Sequence, residues 1–526
     1  MSLDLFLHNL HFDIDKASPP DWKVDWEDAP LPYKLYRDLP VVPFSLEVPL
    51  KLEGCYAPEK PDFREIGHFL WYVFGLTKIY QLAYTLDSEE KAAEVMQSFR
   101  RFAPSGGALY PNELYVYLKI EDLPAGVYHY DVAHHGLVLL REGNFDSYLA
   151  RALGNRCDVS ACFGAVFVTT MFWKNFFKYN NFSYRLQGLD AGVLMGQLLE
   201  VAKRFGFTSG VYFQFVDRAI NHLLGLSEQE ESVYAVIPLS VEPADTWFDN
   251  GNDADRNVSA GELCRELTVI QHNHYVRSRR VVNYPMLIKM NEVSMLESTQ
   301  SIRQINAIEN MSSDSHAVAL PHMKRLSYDL ASVCQKRYSP DMDFILEKVS
   351  HAQLAALLQE ATASFSYQND LDGAKKKHDS RVSLYGCLYN VEDIPNGAYY
   401  YDNTAHALRQ IHPGDFRLQL QYGLSSDNVN LFQVPLCLHV AGDKNHYKKE
   451  LGYRGYRIQQ MEAGMLVQRL LLAASALGMG GHPLLGFDAK MSDKLYKLDQ
   501  KEKTSLIQIP IGPYRHRPWL TGSLHS

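Results

Sequence analysis

One pattern runs through this chain twice. The stretch LYVYLKIEDLPAGVYHYDVAHHGL (114–137) returns as LYGCLYNVEDIPNGAYYYDNTAHAL (384–408). Gly126, Tyr128, Tyr130 and Asp131 are matched by Gly397, Tyr399, Tyr401 and Asp402, 271 positions further on (397 − 126). A second block, YRLQGLDAGVLMGQLLEVAKRFG (184–206), returns as YRIQQMEAGMLVQRLLLAASALG (456–478), 272 positions on (456 − 184). An offset that slips by one residue across separate blocks marks a duplicated unit, which folds twice by the same rules. The 526 residues exceed one compact core and suit two such units with connecting segments.

The order of elements repeats as well. Each copy opens on an amphipathic segment (64–83 and 343–362). Two strands of period-two alternation follow, joined by a Pro/Asn/Gly turn, the second closing on Tyr-x-Tyr-Asp. Then come a β-rich run (GAVFVTTMF, 164–172; VPLCLHVAG, 434–442), a long helix, and a last strand in VYAVIPLS or LIQIPIG. Helices and strands mix without strict β-α-β alternation, so the fold class is α+β. Gly188, Gly192 and Gly196 recur at four-residue steps on one face of the first long helix. Glycine inside a helix costs about 1 kcal/mol, so three on one face predict the close approach of another backbone. The two long helices are therefore expected to form the central contact of a pseudo-dimer. The domain reading is an N-terminal extended arm (1–60), a first unit (61–242), a linker or insertion (243–325) and a second unit (326–526). Within the linker, WFDNGNDADRNVSAG reads as loop and AGELCRELTVIQHNHYVRSRR as a candidate helix.

Composition narrows the function. A net charge of −9 and a pI near 6.1 leave no broad basic face for nucleic acid or anionic lipid. No basic region precedes an apolar core at the N-terminus, and no apolar run approaches the ~18 residues of a membrane span. The seven cysteines are scattered and never spaced C-x-x-C. That argues against a disulfide framework and a zinc site, and fits a reducing cytoplasm. The expectation is a cytoplasmic protein with no metal site.

The two copies differ in complementary places. Residues 100–114 read RRFAPSGGALYPNEL, where the second copy has LDGAKKKHDSRVSLYG. Two glycines and a serine between prolines suit a tight turn into a strand. They equally suit a cradle in which missing Cβ atoms let backbone N–H groups approach a flat ring. Lys178-Tyr179, in KYNNFSYR, stands opposite Glu450-Leu451. Conversely, the second copy keeps GMGGHPLLGFD (478–488), where the first has Gln214 at the position of Gly486. It also has a basic lead-in, CQKRYSPDM, and closes on IGPYRHRP where the first has IPLSVEPA.

PSGGALYPNELYVYL, GVYHYD, KYNNFSYRLQGLDAGVLMGQLL and ALGMGGHPLLGFD together resemble the nitroreductase superfamily. More narrowly, the PSGG loop with a downstream Lys-Tyr pair resembles the SagB-type, FMN-dependent azoline dehydrogenases, and PPDWKVDWEDAPLPYKLYRDLP resembles the arm before their flavin domain. The resemblance implies two tandem nitroreductase-like domains with FMN between them. It implies oxidation of thiazolines or oxazolines in an azoline-containing precursor peptide, with electrons passing to oxygen, beside a YcaO-type cyclodehydratase. It places the flavin ring between Pro104, Ser105, Gly106 and Gly107 and the Gly486-Phe487 turn. Lys336, Arg337 and Arg515 are the expected phosphate ligands, with Arg100 and Arg101 as alternatives. The family's Arg-Arg-Ser-x-Arg pattern stands here as Ser332-Val333-Cys334-Gln335-Lys336. Lys178 is the expected general base and Tyr179 its helper, while Asp190 is expected to cap or to pair with Arg185. The complementary losses imply one intact FMN site per chain. Two other readings stay open: an NAD(P)H-driven nitro or quinone reductase, and a flavin-free scaffold subunit of a peptide-modifying complex. Homo-oligomerisation is left open.

Overall fold

A computed structural model describes residues 1–53, 59–84, 94–244, 247–248, 257–305, 317–363, 367–372, 380–516 and 521–523. Each copy builds one mixed helix-and-sheet unit. The upstream sheet runs Val41–Pro43, Gly136–Glu142, Gly126–Asp131, Asn112–Leu118, Gly164–Met171, Glu231–Ser240, Thr208–Val211, Gln368–Asn369. The downstream sheet runs Ala317–Ala319, Ala407–Pro413, Gly397–Asp402, Ser383–Leu388, Leu436–Asp443, Lys503–Gly512, Gly480–Gly481. The hairpins that carry the repeated Tyr-x-Tyr-Asp take the same place in both, with Tyr115 opposite His129 and Tyr385 opposite Tyr400. The last strand of the upstream sheet is borrowed: Gln368–Asn369 comes from the downstream half and pairs parallel with Thr208–Val211.

The long helices, Ser183–Arg204 and Arg454–Ala476, lie against each other between the sheets. A Cβ on Gly192 would collide with the Met461 carbonyl, and one on Gly464 with the Leu189 carbonyl. The glycine face therefore does admit another backbone. Tyr184 and Tyr456 stack with ring centroids 5.9 Å apart, and Gln468 Nε2 donates to Gln197 Oε1 (2.7 Å). Both helices are buried nearly all round and contribute to one continuous core.

Four expectations are corrected. The segment 64–83 is not one element. A helix, Phe63–Phe74, is started by an Asp62/Glu65 capping box, and the chain past Gly75 enters strand Leu76–Tyr84. That strand pairs with Glu94–Arg101 and with Thr521–Ser523 in a separate small sheet. In the second copy the helix begins only at His351, where Ser350 and Gln353 bond reciprocally. The start of the arm is helical, not extended. Ser2 caps Leu3–Phe12, and Phe6, Leu7 and Leu10, at three- and four-residue steps, are buried. In the linker the candidate helix shrinks to Ala260–Cys264; most of WFDNGNDADRNVSAG lies outside the described residues. The linker's longer helix is Pro285–Ser294, which starts on the proline, where a missing N–H costs nothing.

Candidate active site

The Pro-Ser-Gly-Gly loop joins strand Glu94–Arg101 to strand Asn112–Leu118 and is held by one carboxylate. Asp190, on the upstream long helix, accepts from Ser105 Oγ (2.6 Å) and from the Gly106 amide (3.1 Å). Ser105 Oγ in turn accepts from the Tyr110 amide (3.0 Å). Asp190 does not pair with Arg185, whose guanidinium donates instead to the carbonyls of Leu10 and Leu506. Burial pushes the Asp190 carboxyl up to about 6, against the pull of its two donors. Gly107 has φ +65°, and Ala108 (+56°) and Tyr110 (+49°) share that left-handed region. Side chains avoid it, so the loop stores strain where its surroundings enforce it.

Lys178 and Tyr179 meet this loop. They end the short helix Trp173–Tyr179, which stops at Asn180 with φ +48°. A Cβ on Gly107 would lie 2.5 Å from the Tyr179 hydroxyl and 2.9 Å from Lys178 Nζ. Lys178 is half-buried; its ammonium lies 5.3 Å from the Trp26 ring centroid and 4.8 Å from that of Tyr179. Among the described residues no carboxylate pairs with it, and burial holds it below the ordinary lysine value. Burial, then the Asp190 charge, pushes the Tyr179 phenol up to about 12. Lys174, one turn earlier, is different: it is paired with Glu113, which also bonds His129 Nε2 (2.9 Å). The arm covers this helix. Trp22 Nε1 donates to the Phe177 carbonyl (3.1 Å), and Lys34 pairs with buried Glu231 (2.7 Å).

Positive charge gathers beside Tyr110, from both halves. Arg101 is buried between the Phe74 and Tyr110 rings, 4.0 and 4.7 Å from their centroids. Its Nε and Nη1 have no partner among the described residues, and nor does Nε of Arg337, from the downstream half. Lys78 Nζ donates to the Gln335 carbonyl (2.6 Å). Burial, then the charges of Arg337 and Arg100, hold Lys78 below its ordinary value. Lys78 belongs to a strand absent from the sequence reading. Lys336 and Arg515 are exposed, and the Arg515 amide is bonded to the Asp343 carbonyl (2.9 Å). Phe487 packs on His439, with ring centroids 5.8 Å apart. Neither it nor Gly486 is joined to residues 104–107 by a hydrogen bond or ring contact among the described residues. The Leu485 and Gly486 amides, however, donate to no acceptor among those residues.

The corresponding amides of the first copy are occupied. Phe213 and Gln214 (485 − 272 and 486 − 272) donate to Asp370 Oδ1 and Oδ2, at 3.0 and 2.9 Å. Asp370 is buried and also accepts from Arg156 (3.1 Å). Arg454 donates to the Phe213 carbonyl (2.7 Å) and pairs with buried Asp217 (2.6 Å). The equivalent place in the first copy thus carries a carboxylate of the chain itself.

The nitroreductase family's model matches residues 55–239 and again 336–512. The chain belongs to the nitroreductase family. A protein of Anabaena variabilis classed as a nitroreductase shares the fold, with a TM-score of 0.73 at 23% identity over 98% of this chain and 99% of that one. The trifolitoxin-processing protein TfxB of Rhizobium leguminosarum bv. trifolii is 32% identical over 145 residues, 26% of this chain and 38% of that relative's length. A chain of the E. coli microcin synthetase McbBCD complex, solved with truncated pro-MccB17 bound, aligns over 36% of this chain and 67% of its own at 23% identity, with a TM-score of 0.29. Nitroreductase-family proteins typically bind flavin. This member's unpartnered Arg101 and Arg337 nitrogens and the Leu485 and Gly486 amides fit a phosphate and the carbonyl edge of a ring. Among the described residues, no helix of this nitroreductase-family chain is long and apolar enough to cross a membrane.

Proposed function

We propose that the chain is a cytoplasmic, FMN-dependent azoline dehydrogenase. It oxidises thiazoline or oxazoline rings of a ribosomally made peptide to thiazoles or oxazoles. One observation carries this reading: a half-buried lysine with no ion-pair partner among the described residues and a tyrosine converge on Gly107, in the half that keeps the Pro-Ser-Gly-Gly loop. Aromatising an azoline removes a proton and a hydride. FMN, when bound, supplies the hydride acceptor, which oxygen then reoxidises. The chain's own groups do the rest. Lys178 Nζ takes the carbon-bound proton, because burial shifts it toward the neutral form a base needs. Tyr179 keeps its proton and serves as a donor that orients the ring. Arg337 and Arg101, with Lys78 and Arg100, hold the phosphate, and Lys336 and Arg515 extend that charge outward. The Gly107 backbone and the Leu485 and Gly486 amides would offer polar groups to the flavin ring when it is bound. The likeness to a trifolitoxin-processing protein supports a peptide substrate; on this reading a separate cyclodehydratase of the YcaO type prepares it.

The test is mass spectrometry of an azoline peptide incubated with the purified yellow protein. Each ring should lose two hydrogens. Lys178→Ala should stay yellow and stop the reaction; an unchanged rate removes Lys178 from the mechanism. Consumption of NAD(P)H with an untouched azoline would favour the reductase reading, and a colourless protein the scaffold.

A further inference from the structure

The loop's hydrogen bonds run in one direction. Ser105 Oγ gives its proton to Asp190 and receives one from the Tyr110 amide, while the Gly106 amide is also spent on Asp190. Asp190 is buried and forms no ion pair among the described residues; its donors are Ser105 and Gly106. The groups around it are few. The loop offers Ser105 and Gly106, the preceding helix Tyr179 with Lys178 beyond it, and its own helix Leu186. The partner helix packs on the adjoining glycine face with Gln460 and Met461. Among the described residues an ionised carboxylate here has no ion-pair partner, and its shortest hydrogen bond comes from Ser105 (2.6 Å).

We infer that Asp190 is a positioning residue that sets the direction of the Ser105 hydroxyl, so that Ser105 meets a bound flavin with no proton to give. The inference rests on the flavin reading above. Donors aimed at a flavin stabilise the electron density that reduction adds. Withholding one disfavours the reduced form and suits a flavin that hands its electrons to oxygen. An asparagine at 190 would reverse the pattern. Its amide oxygen still accepts from Gly106, but its Nδ2 donates to Ser105 Oγ, which frees the hydroxyl proton.

The experiment measures midpoint potentials of FMN-loaded wild type, Asp190→Asn, Ser105→Ala and the double variant. Asp190→Asn should tighten reduced relative to oxidised FMN about tenfold, a rise of about 30 mV for the two-electron couple. In the Ser105→Ala background the same substitution should give no rise. A potential equal to wild type, or an equal rise without the hydroxyl, overturns the inference. Should Asp190→Asn fail to fold, the wild type carries the test through its own proton. Its potential should depart from the pH slope of free FMN below about pH 6, where Asp190 protonates, and parallel slopes overturn the idea. A wild-type chain that binds no FMN sinks the flavin reading and the inference together, whereas a yellow wild type without these shifts sinks the inference alone.

Discussion

Gly107 is the residue on which the site turns. Its left-handed φ strains most side chains, and the Tyr179 hydroxyl and Lys178 ammonium occupy the space a methyl group would need. Gly107→Ala should therefore lower azoline turnover by more than tenfold while the melting temperature falls only slightly; calorimetry beside the rate assay separates the two. Lys178 predicts a pH limb. Because burial lowers its pKa, kcat/KM should rise with pH and level off below the ordinary 10.5, and the limb should vanish in Lys178→Ala. Asp190 predicts the opposite sign in stability. Its carboxyl titrates at about 6 in the fold against an ordinary 3.8, so the folded state holds a proton the unfolded chain has released. Stability falls as pH rises through that window and stays lower above it. Asp190→Asn, which cannot ionise, should gain up to about 3 kcal/mol at pH 7.5, and the gain should disappear below pH 4. Urea unfolding at the two pH values checks this.

At the scale of elements, the long helices carry the strictest geometry. Gly192→Ala would drive a methyl group into the Met461 carbonyl and force the helices apart, at a cost of roughly 1–3 kcal/mol, readable as a lower melting temperature. That contact was legible in the sequence because a four-residue glycine rhythm has few other uses. The duplicated hairpins and closing strands were legible for a similar reason, since each pattern is local and appears twice. The hairpin Leu76–Arg101 was not. It follows its helix without a loop signal beyond Gly75 and is completed by a strand from the other end of the chain. The candidate site divides the same way. Lys178, Tyr179 and the glycine loop sit in short motifs and could be named. The bond from Asp190 to Ser105 spans 85 positions, and nothing local announces it. A buried carboxylate mid-helix invites a neighbouring arginine as its partner, yet Arg185 turns to backbone carbonyls on the other side.

For the whole molecule, the proposed site divides the labour between the copies. In it the upstream half supplies the loop, the lysine and the tyrosine; the downstream half supplies Arg337 and the Leu485 and Gly486 amides, which donate to no acceptor among the described residues. Absorbance against protein concentration should give one FMN per chain, and Asp370→Ala should leave that ratio at one, since the loop and the Lys-Tyr pair are missing beside it. The carboxylate of Asp370, seated where the other half leaves two donors open, has a kinetic corollary. A duplex enzyme with twin doors can bind its second guest more or less eagerly than its first. On the proposed reading one door is bolted from inside, so saturation curves should be plain hyperbolas with a Hill coefficient of one, however symmetrical the architecture looks.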